Sequence, residues 1–562
     1  MAMKTLYELV RSSIEKFADK VAFTMLDGEE LTFSEVGKRI KQVQESLTSA
    51  GLKPGDKVAL LSSSMPNWGV SYFAVTTAGM VVVPILPGFS GEEVEKILEH
   101  SESKALLVSD KLYSIIPKRA VEKLNIVIRT KNLKVISQTV KEQGATAEPQ
   151  PDDLAAIIYT SGTTSSPKGV MHSHSSLALH ADLCQKLFPI NENDSFLSVL
   201  PMSHVYECSL GLIFPFSQGV PVFYLDRPPA AAALVPAMRR VRPTVMLIVP
   251  LVIEKIFRSQ VLAKFTANKA MKTIYGFAPT RKLLHKLAGK KLYEVFGGRL
   301  RFLGIGGAKL DTTTERFLIE GRIPHGIGYG LTETAPLLAG AVPMKKEVGS
   351  TGPAVPYVEL RLDNINPETH QGEVVAKTPC CMLGYYKNPE ATAEVIDKEG
   401  WFHTGDLGEF DKEGRLYIRG RLKNMILGPA GENIYPEDIE SVINQHITVS
   451  ESLVTELDGK LVALVQFNTD QIEQTLDDWR DQWRTKREAI EAKTEELRAE
   501  IKEYVNQKVS QFSRISEVVE QKDEFIKTPS MKIRRFLYKN NLHPEPPKED
   551  ETVEKSGEIK ED

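Results

Sequence analysis

Between Tyr159 and His174 the chain reads YTSGTTSSPKGVMHSH, which sets glycines, hydroxyls and one lysine between an apolar run and a pair of histidines. Backbone N–H groups of such a loop, helped by hydroxyls and a cation, can cradle phosphate oxygens. The familiar G-x-x-x-x-G-K-[ST] loop is absent, because Pro167 precedes Lys168 and Gly169 follows it. This argues against a switch-type GTPase or a Walker ATPase while keeping a polyanion as the ligand. A Ser/Thr-rich surface linker is the bland alternative for this segment alone.

Four further stretches carry residue types that suit nucleotide chemistry. GYGLTETAP (Gly328 to Pro336) places Tyr329, which can stack on a base, near Thr332, which can donate to a phosphate, and Glu333, which can hold Mg²⁺ through oxygen. WFHTGDLGEF puts Asp406 in a glycine-flanked turn, where a carboxylate can accept two ribose hydroxyls. IRGRLKNMI offers Arg421 and Lys423, and FIKTPSMKIRR offers Lys532 on a short loop. Singly each has an ordinary explanation: a helix N-terminal acid, a core tryptophan at Trp401, a solvated basic strip. Their joint appearance over nearly four hundred residues is the informative observation.

These residues need elements to hold them. A chain of 562 residues that is 42% apolar can bury a large core and should divide into more than one domain. Short β-branched runs (VAFTML, KVALLSS, VVVPIL, KALLVSD, VPVFYL, VMLIVP, LRFLGIGG) alternate with helical patterns, the signature of α/β layering. LAAIIY (Leu154 to Tyr159) reads as a buried strand, so the Ser/Thr-rich loop leaves a strand end, where α/β sheets bind ligands. Val58 to Gly91 carries no charged residue, but its prolines and VVVPILP fit a core helix and strand better than a membrane span. The opening MAMKTLYELVRSSIEKFADK reads as an amphipathic helix and not as a secretory signal.

Near Gly408 the texture changes to a hairpin, with DKEG as its turn, followed by a basic junction. We expect a large domain over residues 1–420 and a small mobile α+β domain over 421–543, with a helical insertion at about 470–511. Leu476, Trp483, Ile490, Leu497 and Tyr504 recur every seven residues, but the companion seam is charged, which favours a helix lying on the small domain over a coiled coil. Residues 544–562 are rich in proline and charge and read as a disordered acidic tail. Net charge −4 exerts no general pull on nucleic acid. The four cysteines lack metal-ligand spacing and fit a reducing cytoplasm. The oligomeric state is not readable.

Taken together, TSGTTSSPKG, GYGLTE, HTGD, GRLK and TPSMKIRR resemble the acyl-adenylate-forming superfamily, from about Thr5 to His543. LPMSHVYE and VPLVIEKIF look most like its long-chain fatty-acid–CoA ligases. The resemblance implies an α/β large domain of layered subdomains with a small β-barrel-like part. It implies attack of a fatty acid on ATP with Mg²⁺, release of pyrophosphate, and transfer of the acyl group from AMP to CoA. Thr160, Ser161, Gly162, Thr163, Thr164, Lys168 and Gly169 would serve the phosphates. Gly306, Gly307, Ala308 and Tyr329 would form the adenine slot, Thr332 would touch the α-phosphate, Glu333 the metal, and Asp406 and Arg421 the ribose. Lys532 would bridge the substrate carboxylate and the α-phosphate. A hinge at Lys423 would then withdraw it and bring GPAGENIYP (Gly428 to Pro436) to the site for CoA.

His204, Val205 and Gly304 are the residues expected at the acyl pocket, with Leu210, Leu212, Ile213 and Phe214 beside them. This apolar set predicts medium- to long-chain fatty acids and allows peripheral contact with a membrane. Three positions depart from the family pattern: Ser165 for glycine in the loop, Ile327 for an amide near the adenine, and Met531 for glycine before the lysine. Two rival readings stay open. One is transfer to a carrier protein's phosphopantetheine, and the other is a non-catalytic protein that keeps the adenylate site.

Overall fold

The computed structural model of the chain describes residues 5–160, 167–225, 230–266, 269–341, 347–428, 433–446, 448–469, 472, 486–529, 532–539, 541–542 and 544. The fold is mixed α/β, built on two eight-stranded sheets. One sheet runs Leu337–Gly340, His325–Gly330, Phe302–Ile305, Val245–Ile248, Phe196–Ser198, Val222–Tyr224, Val21–Met25, Glu30–Thr32, parallel except at its two outermost pairs. The other runs Gly384–Tyr385, Lys168–Ser173, Leu154–Thr160, Val81–Pro84, Lys57–Leu61, Ser103–Val108, Ile126–Arg129, Val135–Gln138. Its four central pairings are parallel.

Strands buried on both faces read as continuous apolar runs because no face is left for polar residues. Val81–Pro84 and Ile126–Arg129 are of this kind. The helix Pro66–Thr77, which begins with proline at its first turn, is buried at every residue and lies between the sheets. Trp68 stacks on Tyr72 within it, and Gly69 lets Phe23 and Leu212 approach closely. The uncharged stretch is therefore core. Among the described residues, no helix is long and apolar enough to cross a membrane.

The strands Glu359–Asp363, Gly372–Lys377, Phe402–Phe410 and Leu416–Arg421 form an open antiparallel sheet of four and not the barrel-like part expected. Asp411, which accepts from the N–H groups of Glu413 and Arg415, and Gly414 at φ 74° make the hairpin turn read from DKEG. Beyond it, Val449–Leu457 and Lys460–Phe467 are joined by Asp458 and Gly459, both at positive φ as a tight hairpin requires. Glu517–Glu520 adds a parallel third strand. The helix Lys486–Asn506 lays Leu497, Ile501 and Val505 on this small sheet, and Arg498 donates to the Val518 carbonyl at 2.7 Å. It is a helix packed on the small unit, as the charged second seam predicts. Leu476, Trp483 and the tail from residue 545 lie outside the described residues.

Candidate active site

The site forms where the C-terminal ends of parallel strands meet the four-stranded sheet. Phe302–Ile305 and His325–Gly330 pair in register, Ile305 opposite Ile327, which sets Gly306 beside Gly328. Gly307 sits at φ 87°, a conformation that favours glycine, and with Ala308 it is exposed on the bend that follows. Tyr329 donates its phenol to Asp406 Oδ2 at 2.7 Å, and Arg421 Nε lies 2.7 Å from Asp406 Oδ1. Asp406 lies inside the strand Phe402–Phe410 and not in the glycine-flanked turn expected, because its backbone pairs across to Arg421, and that pairing fixes the contact. Burial raises the Asp406 pKa, and Arg421 and Tyr329 act against that rise.

Thr332 and Glu333 form a single 3₁₀ turn after Tyr329. His172, on the strand that follows the phosphate loop, donates from Nε2 to the Thr332 carbonyl at 2.7 Å. Burial lowers the His172 pKa to about 4, so it is neutral in this role. Glu333 Oε1 accepts from the Tyr385 hydroxyl at 2.8 Å, and the Lys168 ammonium sits 4.9 Å from the centre of the same ring. Tyr385 therefore ties Lys168 to Glu333. Thr160 Oγ1 reaches back to the Lys168 carbonyl, closing the base of the loop. Ser161, Gly162, Thr163, Thr164 and Ser165 lie outside the described residues. Among the described residues no three His, Cys, Asp or Glu cluster as a metal cage. Mg²⁺ is commonly held by one or two carboxylates plus substrate phosphates, and Glu333 suits that arrangement.

Lys532 approaches from the small unit. Its N–H and carbonyl bond to Thr528, which closes a short turn. The turn is seated by Arg534, 3.0 Å from Glu93, and by Pro529 packed over Gly88. The Lys532 side chain is open to solvent yet hemmed in by protein. Desolvation and then the Arg421 charge lower its pKa, while Asp406 and Glu333 oppose the fall. His204, whose pKa burial and the Lys532 charge lower to about 4, faces the same space. Lys423 is exposed in the 3₁₀ turn Leu422–Asn424 at the start of the small unit. Of GPAGENIYP, residues 429–432 lie outside the described residues, and Asn433–Ile434 pairs with Ile426–Leu427.

An apolar cavity lies against the strands Phe302–Ile305 and His325–Gly330. Gly304, Leu210 and Phe214 line it, together with Ile327, Tyr206, Phe188 and Phe302. His204 and Val205 are not in its wall: Val205, Leu212 and Ile213 turn into the core, and Tyr206 takes the lining position. The reason is a helical turn at Val205–Glu207 running into a π-helix at Cys208–Ile213, which sets Tyr206, Leu210 and Phe214, four residues apart, on the cavity side. Ile327, at the position where the family pattern has an amide, lines this apolar cavity. Tyr385, Tyr206 and His172 were not singled out from sequence. The adjacent aromatics in GYYKNPE were the available signal for Tyr385, but nothing local marks the other two.

This is the site of an adenylate-forming ligase, and the chain belongs to the AMP-binding enzyme family, which matches residues 10–386. It is 28% identical to the peroxisomal long chain acyl-CoA synthetase 6 of Arabidopsis thaliana, over 83% of this chain and 74% of that protein. It is 27% identical to the long-chain-fatty-acid–CoA ligase of Escherichia coli O6:H1, over 80% and 82%. It is also 27% identical to the chloroplastic long-chain-fatty-acid–[acyl-carrier-protein] ligase AEE15 of Arabidopsis thaliana, over 95% and 85%. In fold it resembles the o-succinylbenzoate CoA synthetase of Bacillus subtilis in complex with its acyl-adenylate intermediate, with a TM-score of 0.75 at 22% identity over 97% and 99% of the two chains.

Proposed function

We propose that this protein activates medium- to long-chain fatty acids with ATP and transfers them to CoA. The observation that carries the reading is the convergence of Lys532, Asp406 and Glu333, close enough for both carboxylates to act on the lysine charge. A carboxylate oxygen attacks the α-phosphorus, the α–β bridging bond breaks, and pyrophosphate leaves with the electron pair. Neutralising the charge that builds up there is the main demand, because the reaction needs no protein nucleophile. Lys532 meets that demand at the carboxylate and α-phosphate, Lys168 at the outer phosphates, and Mg²⁺ held by Glu333 adds charge neutralisation. The CoA sulfur then attacks the acyl carbon and expels AMP, the thiol giving up its proton. Domains divided near Arg421 and a turn at Lys423 that allows rotation let one site serve both steps.

The cavity offers carbon to an acyl chain and no cation for a second carboxylate, which supports a fatty acid over a dicarboxylate. A second reading, transfer to a carrier protein's phosphopantetheine, is favoured by the carrier-protein ligase relative, whose match covers 95% of the chain. Pyrophosphate release across a panel of carboxylic acids, with CoA or a phosphopantetheinylated carrier as acceptor, tests both. Saturable, CoA-dependent turnover of fatty acids is expected. Equal activity on acetate, an amino acid or a hydroxycinnamate would contradict the fatty-acid assignment.

A further inference from the structure

Residues 255–291 contain ten lysines and arginines and no aspartate or glutamate, in a chain whose net charge is −4. The latter half of this stretch folds as the helices Lys269–Gly276 and Ala278–Val295. Helix Ala278–Val295 is anchored along one stripe. His285 and Leu292 are buried, and Gly289 lies so close to Gly321 that an added Cβ would stand 2.2 Å from its carbonyl oxygen. Glu320 holds both Arg281, at 3.0 Å, and His285, at 2.7 Å. The face turned outward is thereby fixed.

That outward face is apolar where a solvent-facing helix should not be. Leu283 is 59% exposed and Leu287, one turn on, 56%; at the junction of the two helices Phe277 is 64% exposed and Ile274 44%. Single exposed apolar side chains are ordinary, but four in one helical hairpin are not. Lys282, Lys286 and Lys290 follow one another at helical spacing directly beside the leucines and are exposed. None of these three makes an ion pair among the described residues. Apolar side chains that can enter the acyl boundary, edged by lysines that meet anionic headgroups, are the features of a helix lying in a membrane interface. A nucleic acid would use the lysines and leave the leucines and Phe277 in water.

We propose that this helical hairpin docks the protein on an anionic bilayer surface, with Phe277, Leu283 and Leu287 inserted and the lysine row on the headgroups. The surface stands on these residues alone, whatever acid the active site takes.

The test is co-sedimentation of the full-length protein with phosphatidylcholine vesicles, with and without phosphatidylglycerol. Wild type should bind the phosphatidylglycerol vesicles, less so as salt rises, and should leave pure phosphatidylcholine nearly untouched. Leu283→Ser with Leu287→Ser, and separately Lys282→Glu with Lys286→Glu, should each weaken binding by at least about tenfold. Because all four side chains point to solvent, thermal unfolding and pyrophosphate release from dissolved substrates should stay at wild-type values. The proposal is overturned if wild type sediments with neither vesicle, binds both equally, or if the two double variants bind as wild type does.

Discussion

Tyr329 and Asp406, 77 residues apart, are joined by a 2.7 Å hydrogen bond from the phenol to a carboxylate that Arg421 grips from the other side. This contact ties Tyr329 to the strand Phe402–Phe410, so loss of the charge should loosen both. Asp406→Asn keeps the shape and removes the charge. KM for ATP is expected to rise by about 10- to 100-fold, the scale of one charge-assisted hydrogen bond, with a smaller change in KM for the acid. Steady-state kinetics with each substrate varied in turn give the answer.

Tyr385 links Lys168 to Glu333, and its two contacts can be separated. Tyr385→Phe removes only the hydrogen bond and should shift the Mg²⁺ dependence of adenylation by roughly 2- to 10-fold. Tyr385→Leu removes the ring as well and should add a rise in KM for ATP. Metal titrations of pyrophosphate release distinguish the two variants, and identical behaviour would show that the ring under Lys168 contributes nothing.

Much of this site was legible in the sequence because its chemistry is carried by short motifs. Asp406, Arg421, Glu333 and Lys532 each sit in a short motif with glycine or proline close by, although Asp406 and Arg421 prove to lie on paired strands and only Glu333 and Lys532 in turns. The strands positioning them were equally plain, since burial on both faces leaves runs such as VVVP with no polar residue. The acyl wall was less legible. Val205 and Tyr206 are adjacent and both apolar, and only the helical turn and π-helix decide which faces the cavity. The basic run at residues 255–291 stood in the sequence, but its meaning depends on which leucines the fold leaves outside.

Two residues of the cavity wall, Phe188 and Phe302, stack with ring centres 4.6 Å apart, and the Arg301 guanidinium lies 5.3 Å over Phe188 and 2.6 Å from Asp194. Under the proposed fatty-acid reading, this aromatic pair is expected to limit the length of the acyl chain. Phe302→Ala should move the preferred acid to longer chains, with up to about 0.8 kcal/mol, roughly fourfold in kcat/KM, for each methylene newly accommodated. Profiles of kcat/KM against chain length for wild type and variant measure this. A uniform drop at every length would mean that the pair supports the fold and does not measure the chain.

Glu207 is fully buried, accepts from Ser198 at one carboxyl oxygen and has no partner for the other among the described residues. Desolvation raises its pKa to about 8, so the folded protein holds a proton that the unfolded chain releases near pH 4.3. Stability from this group is complete below the unfolded value and drains away as pH rises through about 8. Glu207→Gln should remove that loss. Its melting temperature relative to wild type should rise by a few degrees between pH 5 and pH 8. Parallel melting curves at all pH values would place the proton elsewhere.

The central claim is that Lys532 serves adenylation alone and the Lys423 turn serves the passage to the second step. The most direct measurement follows each half-reaction separately, by pyrophosphate release and by consumption of synthetic acyl adenylate with CoA. Lys532→Ala should slow adenylation by about 10²- to 10⁴-fold, the scale of a lost electrostatic contact, and leave thioester formation near normal. Lys423→Pro, which fixes φ near −65° at a residue already in a helical turn, should do the reverse. Acyl adenylate should then build up in a single-turnover burst and stall. If both substitutions slow both half-reactions by similar factors, the two lysines do not divide the chemistry and the account is contradicted.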